Sequence, residues 1–174
     1  MKKILLTLLL FSSIFAQANR ILTLAPTAQA SSIGNVMLPM MNPARNLFDK
    51  DHFSFSRVNW MTNIVNDMSY NFINVDRGPY GINIMFFNYG EQNLTNESGI
   101  IESQFTPLSA VYGFSYARKV SKYNLGLDVK LITHDLHTQD AKGLVFGVGG
   151  YFPKIYKDLD LDVMVRNFGF APKF

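Results

Sequence analysis

Between residues 123 and 133 every second side chain is apolar. Tyr123, Leu125, Leu127, Val129 and Leu131 fall on one side, and Asn124, Gly126, Asp128 and Lys130 on the other. Only an extended chain sends successive side chains to opposite faces, so this run reads as a strand with two unlike surfaces. Its length narrows the fold further. Eleven residues exceed the roughly five or six of a globular strand and suit the ~9–11 that a tilted strand needs to cross a bilayer.

The pattern recurs. Residues 108–118 place bulky Leu108, Tyr112, Phe114 and Tyr116, with Ala110, on one face, against Ser109, Val111, Gly113, Ser115 and Ala117 on the other. The short polar stretch 119–122 predicts a tight hairpin turn between these two strands, on the periplasmic side of a barrel. Leu144, Phe146, Val148 and Phe152 alternate with Val145, Gly147, Gly149 and Tyr151. Leu159, Leu161, Val163 and Val165 alternate with Asp160, Asp162, Met164 and Arg166. Tyr80, Ile82, Ile84 and Phe86 alternate with Gly81, Asn83, Met85 and Phe87. Weaker alternation at 53–60, 68–75 and 100–105 completes the set, while the polar segments 88–99 and 134–140 read as loops. The predicted fold is all-β: an antiparallel up-and-down transmembrane β-barrel, or a partial barrel, of about 7–8 strands.

The N-terminal residues decide the compartment. Lys2-Lys3, the apolar run 4–14 and the small-x-small site Ala16-Gln17-Ala18 form an export signal over 1–18, with the mature chain beginning at Asn19. Residues 19–174 are enough for one domain. Within it, 20–50 is rich in Ala, Ser, Met, Asn and Pro without a period, and is expected to be an irregular or partly helical lead-in. The strands occupy 52–168. The chain has no Cys, which excludes a disulfide framework and a lipid-modified N-terminal cysteine. Its net charge of +3 includes Lys2 and Lys3, so the exported part is close to neutral and gives no case for nucleic-acid binding.

A soluble periplasmic β-barrel or sandwich that binds lipid would also alternate. The membrane reading is favoured by strand length, by aromatic residues such as Tyr80, Tyr116, Tyr123 and Phe152 at the ends of the apolar faces, and by Gly, Ser and charge opposite them. A mean hydropathy of only +0.06 in a chain that is 48% hydrophobic fits this interleaving. The expected partner is therefore the lipid bilayer, and the expected location the bacterial outer membrane. In that barrel Asp128, Lys130, Asp160, Asp162 and Arg166 share the lumenal side and are expected to form a charge-balanced polar network.

Signals for chemistry are weak. His134-Asp135-Leu136-His137 has two possible metal ligands but no third nearby, and a solvated loop is the better reading. There is no Gly-x-Ser-x-Gly, no phosphate-binding loop and no His-Glu-x-x-His, so neither an enzyme nor a cofactor is expected. Gly147-x-Gly149-Gly150 lies within a strand pattern, where glycine admits a close neighbour or bends the sheet. The sequons at Asn93 and Asn96 have no role in a chain with a bacterial-type export signal.

Several short segments, in order, are similar to one family. They are Leu22-Thr23-Leu24-Ala25-Pro26-Thr27-Ala28-Gln29-Ala30 with Gly34 after it, Asn42-Pro43-Ala44, Asn88-Tyr89-Gly90, Phe105-Thr106-Pro107-Leu108, Ser115-Tyr116-Ala117-Arg118, Leu125-Gly126-Leu127-Asp128-Val129-Lys130, Ala141-Lys142-Gly143 and Val165-Arg166-Asn167-Phe168-Gly169. Together they cover nearly the whole exported chain and resemble the PorV/PorQ family of outer-membrane proteins. The resemblance implies a barrel related to the long-chain fatty-acid transporter group, with the lead-in packed at or inside it through Asn42, Pro43 and Ala44. It implies a non-enzymatic component of type IX secretion, with secretion-apparatus proteins or exported cargo as partners, and a fatty-acid-transporter-like pore as the alternative. The chain departs from the family at Ile33-Gly34, where a glycine pair is usual, and at Arg45, where an apolar or small residue is usual. Family chains also continue through further strands after the Arg166-Asn167-Phe168-Gly169 segment. The resemblance thus implies either a shortened member with open sheet edges or a small barrel of about eight strands. Phe168, Phe170 and Phe174 resemble a terminal aromatic strand, and Pro172 argues against one.

Overall fold

The computed structural model describes residues 20–32, 41–48, 51–60, 67–137 and 140–170. The export signal, Asn19, Ile33-Gly34, Pro172 and Phe174 lie outside these residues. Among the described residues the lead-in forms two short 3-10 helices, η1 (Arg20–Thr23) and η2 (Pro43–Leu47), and one turn of α-helix, α1 (Ala28–Ser32). Nine strands follow among the described residues: β1 (His52–Asn59), β2 (Ser69–Arg77), β3 (Tyr80–Asn88), β4 (Gln92–Thr95), β5 (Ile101–Phe105), β6 (Leu108–Val120), β7 (Tyr123–Asp135), β8 (Asp140–Tyr156) and β9 (Leu159–Phe170). No described helix is long and apolar enough to cross a membrane.

The period-two runs became the main sheet. Seven antiparallel strands lie in the order β1-β2-β3-β6-β7-β8-β9, and β4 and β5 form a separate ribbon. Among the described residues β1 and β9 do not pair with each other, so both are edges and the sheet is open. Residues 88–99 are not purely a loop, because β4 lies within them. Every residue of β4 is exposed, and a ribbon with no buried face has no alternation to betray it. The segment 134–140 is likewise shorter than a loop: His134 and Asp135 belong to β7, and Asp140 pairs with Asp135 at the start of β8.

Connections in the main sheet alternate in kind. At one end, here the turn end, the two-residue turns Gly78-Pro79, Ser121-Lys122 and Lys157-Asp158 join adjacent strands. Each begins with a positive φ, at 55° for Gly78, 57° for Ser121 and 54° for Lys157, the geometry that matches strand twist in a tight hairpin. At the other, loop end, the connections are longer and one carries the β4–β5 ribbon. β9 contains a bulge: Phe146 pairs with Phe168 and Val148 with Val165, so Arg166 and Asn167 together oppose Gly147. Asn167 has a φ of 59°. The bulge resets the alternation so that Val165 and Phe168, three residues apart, share one face.

The two faces of the sheet invert the usual distribution. Ile82, Phe114, Leu127, Phe146, Val163 and Val165 are exposed, whereas Asn74, Asn83, Ser115, Asp128 and Lys130 are buried. The buried residues face the lead-in, which covers that side. At the loop-end half of the covered face Ile21 and Leu22 of η1 pack with Tyr70, Phe72, Met85, Phe87, Val111, Ile132 and Val145. This is the apolar core, and each large side chain in it contributes about 1.5–3 kcal/mol by leaving water. The turn-end half of the same face is polar.

Candidate functional site

The polar half is built around Asn42-Pro43-Ala44. Asn42 is the N-cap of η2: its backbone is extended (φ −123°, ψ 109°) and its Oδ1 accepts from the Ala44 N–H at 3.0 Å. Pro43 at the first helical position has no N–H to leave unpaired. Ala44 and Pro43 are buried against β7 and β8. The sheet makes room for them with glycine. A Cβ on Gly126 would lie 2.8 Å from Pro43 Cβ and nearer still to the Ala44 nitrogen, and one on Gly149 would overlap Asn42 Oδ1. Gly126 and Gly149 are direct cross-strand partners, so the pair forms one socket spanning two strands. The close-approach reading of the Gly147-x-Gly149 segment holds at Gly149, where the neighbour is the lead-in itself.

Arg45 has a partner in Asp162. Its Nε donates to Asp162 Oδ2 at 2.8 Å and its Nη2 bonds the same oxygen, while Asn42 Nδ2 donates to Asp162 Oδ1 at 3.0 Å. The guanidinium also lies 5.4 Å from the centroid of the Phe48 ring and 5.5 Å from that of Tyr151, two rings that meet edge to face at 4.5 Å. Tyr151 Oη donates to Asp160 Oδ2 at 2.5 Å, and Asp160 Oδ1 accepts from the Lys154 N–H at 2.9 Å. The lead-in is therefore bonded to β9 and stacked on β8.

The five expected lumenal charges do not form one network. Asp128 and Lys130 pair with each other, both buried. Asp162 instead binds the lead-in, and Asp160 is exposed in the turn-end half of the β8–β9 hairpin. Arg166 is exposed at the bulge and shares only the edge of a small cavity with Lys130. Register explains why Asp162 and Asp128 stay apart. Asp162 is level with Asn124 through Tyr151, whereas Asp128 is level with Gly147. Four residues along a strand is roughly 13 Å, too far for contact across the intervening β8.

Other polar residues on this face carried no signal as a set. Asn46 Nδ2 donates to Ser115 Oγ at 2.8 Å, and Asn74 Nδ2 to Asp76 Oδ2 at 2.6 Å. Gly81 lies between these groups, since a Cβ there would stand 2.5 Å from Asp76 Oδ1 and 3.0 Å from Asn46 Nδ2. Toward the loop end, Ser109 Oγ is 2.5 Å from His134 Nδ1 and 3.2 Å from Tyr89 Oη. Ser109 is fully buried, so this hydrogen-bonded row offers no reachable nucleophile. His137 lies instead against the Phe105 ring at 4.7 Å. Among the described residues no group of three side chains could hold a metal. The cavity bounded by Leu22, Phe72, Met85, Lys130 and Arg166 measures about 30 Å³, room for about one water molecule. The arrangement holds a segment of the chain itself against the sheet.

Compared with protein-family models, with curated proteins and with solved structures, the chain matches none.

Proposed function

We propose that this chain forms the wall of a bacterial outer-membrane β-barrel, with the lead-in occupying its interior. One observation carries the reading: the sheet is apolar over its exposed face, while half of its buried face is polar and holds Asn74, Asn83, Ser115, Asp128 and Lys130. In water, a continuous exposed face bearing Tyr80, Ile82, Tyr112, Phe114, Leu127, Phe146 and Val165 is far larger than the apolar patches soluble monomers tolerate. Against lipid it is the expected outer surface, and the buried Asn, Ser, Asp and Lys residues become lumenal. Strands of 12 to 17 residues in β6 to β9 and the alternation of two-residue turns with longer loops support the same reading. An apolar groove of about 430 Å³ on this face, between Phe114, Leu127, Phe146 and Phe168, has the lining an acyl chain would meet.

The finer assignment rests on the PorV/PorQ resemblance: a non-enzymatic component of protein export or attachment of the type IX kind. The seating of Asn42-Pro43-Ala44 on Gly126 and Gly149 supports it, because two of the segments that carry the resemblance meet there. Fractionation of cells expressing the full chain tests the membrane reading. The exported protein should sediment with outer membranes and need detergent for release. Recovery in the soluble periplasmic fraction would overturn it, in favour of a soluble lipid-binding β-protein.

A further inference from the structure

The two ends of the sheet differ in charge. At the loop end the described residues include Asp67, Glu91, Glu97, Glu102, Asp135 and Asp140, with the cations Arg57 and Lys142 two residues in from the ends of their strands. The turn end carries Arg77, Arg118, Lys119, Lys122, Lys154 and Lys157, all exposed. Its carboxylates are largely engaged: Asp162 holds Arg45, Asp160 holds Tyr151 and the Lys154 N–H, and Asp51 faces Arg77 at 3.9 Å. Among the described residues Arg118, Lys119, Lys122 and Lys157 enter no salt bridge.

Beneath these cations stands a collar of rings on the apolar face. Tyr80 and Tyr116 are cross-strand partners with ring centroids 5.3 Å apart, and Tyr123 and Phe152 are also 5.3 Å apart. Lys122 Nζ lies 5.4 Å from the Tyr123 centroid and Lys157 Nζ 5.5 Å from that of Tyr156. Amphipathic rings settle at the level of lipid headgroups. Cations just outside such a belt sit among the headgroup phosphates, where each favours an anionic surface by an amount that salt screens.

Resting on the barrel reading above, we infer that the turn-end rim is a docking surface for anionic phospholipid headgroups and gathers acidic lipid around the periplasmic mouth. Arg118, Lys119, Lys122 and Lys157 are the recognising groups, the tyrosine collar sets their depth, and the acidic loop end repels the same lipids. The two ends of the wall thus differ in the leaflet chemistry they accept.

The single tryptophan makes the test direct. Trp60 packs against Phe87 of the covered face, so it is replaced, and the W60F/Y116W and W60F/L108W chains carry one reporter each on the open face, at the turn-end collar and at the loop end. Both chains are folded into phosphatidylcholine vesicles containing a minor fraction of phosphatidylglycerol, with the bromine quencher on one lipid or the other. The W60F/Y116W chain should report at least about fivefold enrichment of phosphatidylglycerol, the effect of one cation. The W60F/L108W chain should report none. High salt, or R118Q/K119Q/K122Q/K157Q in the W60F/Y116W background, should abolish the enrichment. Equal quenching by the two lipids at the collar, or the same enrichment at position 108, overturns the rim proposal and leaves the barrel reading standing. Failure of brominated phosphatidylcholine to quench either reporter, in chains that retain β circular dichroism, overturns both.

Discussion

Arg45 and Asp162, 117 positions apart in the chain, are joined by two hydrogen bonds from one guanidinium to one carboxylate oxygen. The pair ties the segment that precedes the sheet to the last strand of it. Both side chains are partly exposed, at 16% and 26%, so the link is neither a fully screened surface pair nor a dry one.

A double-mutant cycle should therefore find real coupling. R45M and D162N, separately and together, are expected to show an interaction of about 1–2 kcal/mol in equilibrium unfolding of the detergent-folded chain. Strictly additive effects would mean that the pair is incidental to the seating of the lead-in.

The glycine socket predicts a difference between glycines. G126A and G149A each place a methyl group where Pro43, Ala44 or Asn42 stands, and overpacking of this kind costs about 1–3 kcal/mol. Limited proteolysis should then cut the lead-in faster while leaving β6–β9 protected. G99A has open space around its Cβ and only a φ of +77° to accommodate, so it should cost about 1–2 kcal/mol and leave cleavage of the lead-in unchanged. Equal cleavage in all three variants would argue against the socket.

Asp128 and Lys130 are 7% and 6% exposed and have each other as partners. Removing one leaves a buried charge, so K130M should destabilise by about 3–5 kcal/mol, while D128L/K130M should cost much less. Thermal unfolding of the single and double variants decides it. A double variant as damaged as K130M would mean that the pair contributes net stability.

The inverted faces predict opposite outcomes in two solvents. Leu127 is 59% exposed, and at an ordinary aqueous surface L127R would change stability by no more than about 0.5 kcal/mol. If the same position faces lipid near mid-depth, L127R should cost about 2–4 kcal/mol in vesicles. Denaturant unfolding from the vesicle-inserted state measures it, and a neutral result would remove lipid from the open face.

Alternation foretold the strands of the main sheet, most clearly in β3 and β6–β9, where one face is apolar over most of its length, and more weakly in β1 and β2, where Arg57, Asn71 and Arg77 interrupt it. The ends of Tyr123–Asp135 and Asp140–Tyr156 were less legible, since His134 and Asp140 look like loop residues until Ser109 and Asp135 stand opposite them. The bulge was hidden as well. Nothing in Arg166-Asn167 announces the extra residue, although the shift in parity from Val165 to Phe168 is visible once sought. Asn42, Pro43 and Ala44 are buried against Gly126 and Gly149, whose role as a socket no residue pattern announces. The partners of Asp162 were misjudged, because a shared face says nothing about the level along the strand, which register alone sets.

The open sheet has a parity. Seven antiparallel strands make β1 and β9 point the same way, from the turn end to the loop end. Joined directly, the two edges would meet as parallel neighbours, and a second copy in the same orientation would create that mismatch at both seams. An antiparallel fit requires an odd number of intervening strands, with the outermost two descending from the loop end. The sheet therefore specifies both the direction and the evenness of any cylinder it completes.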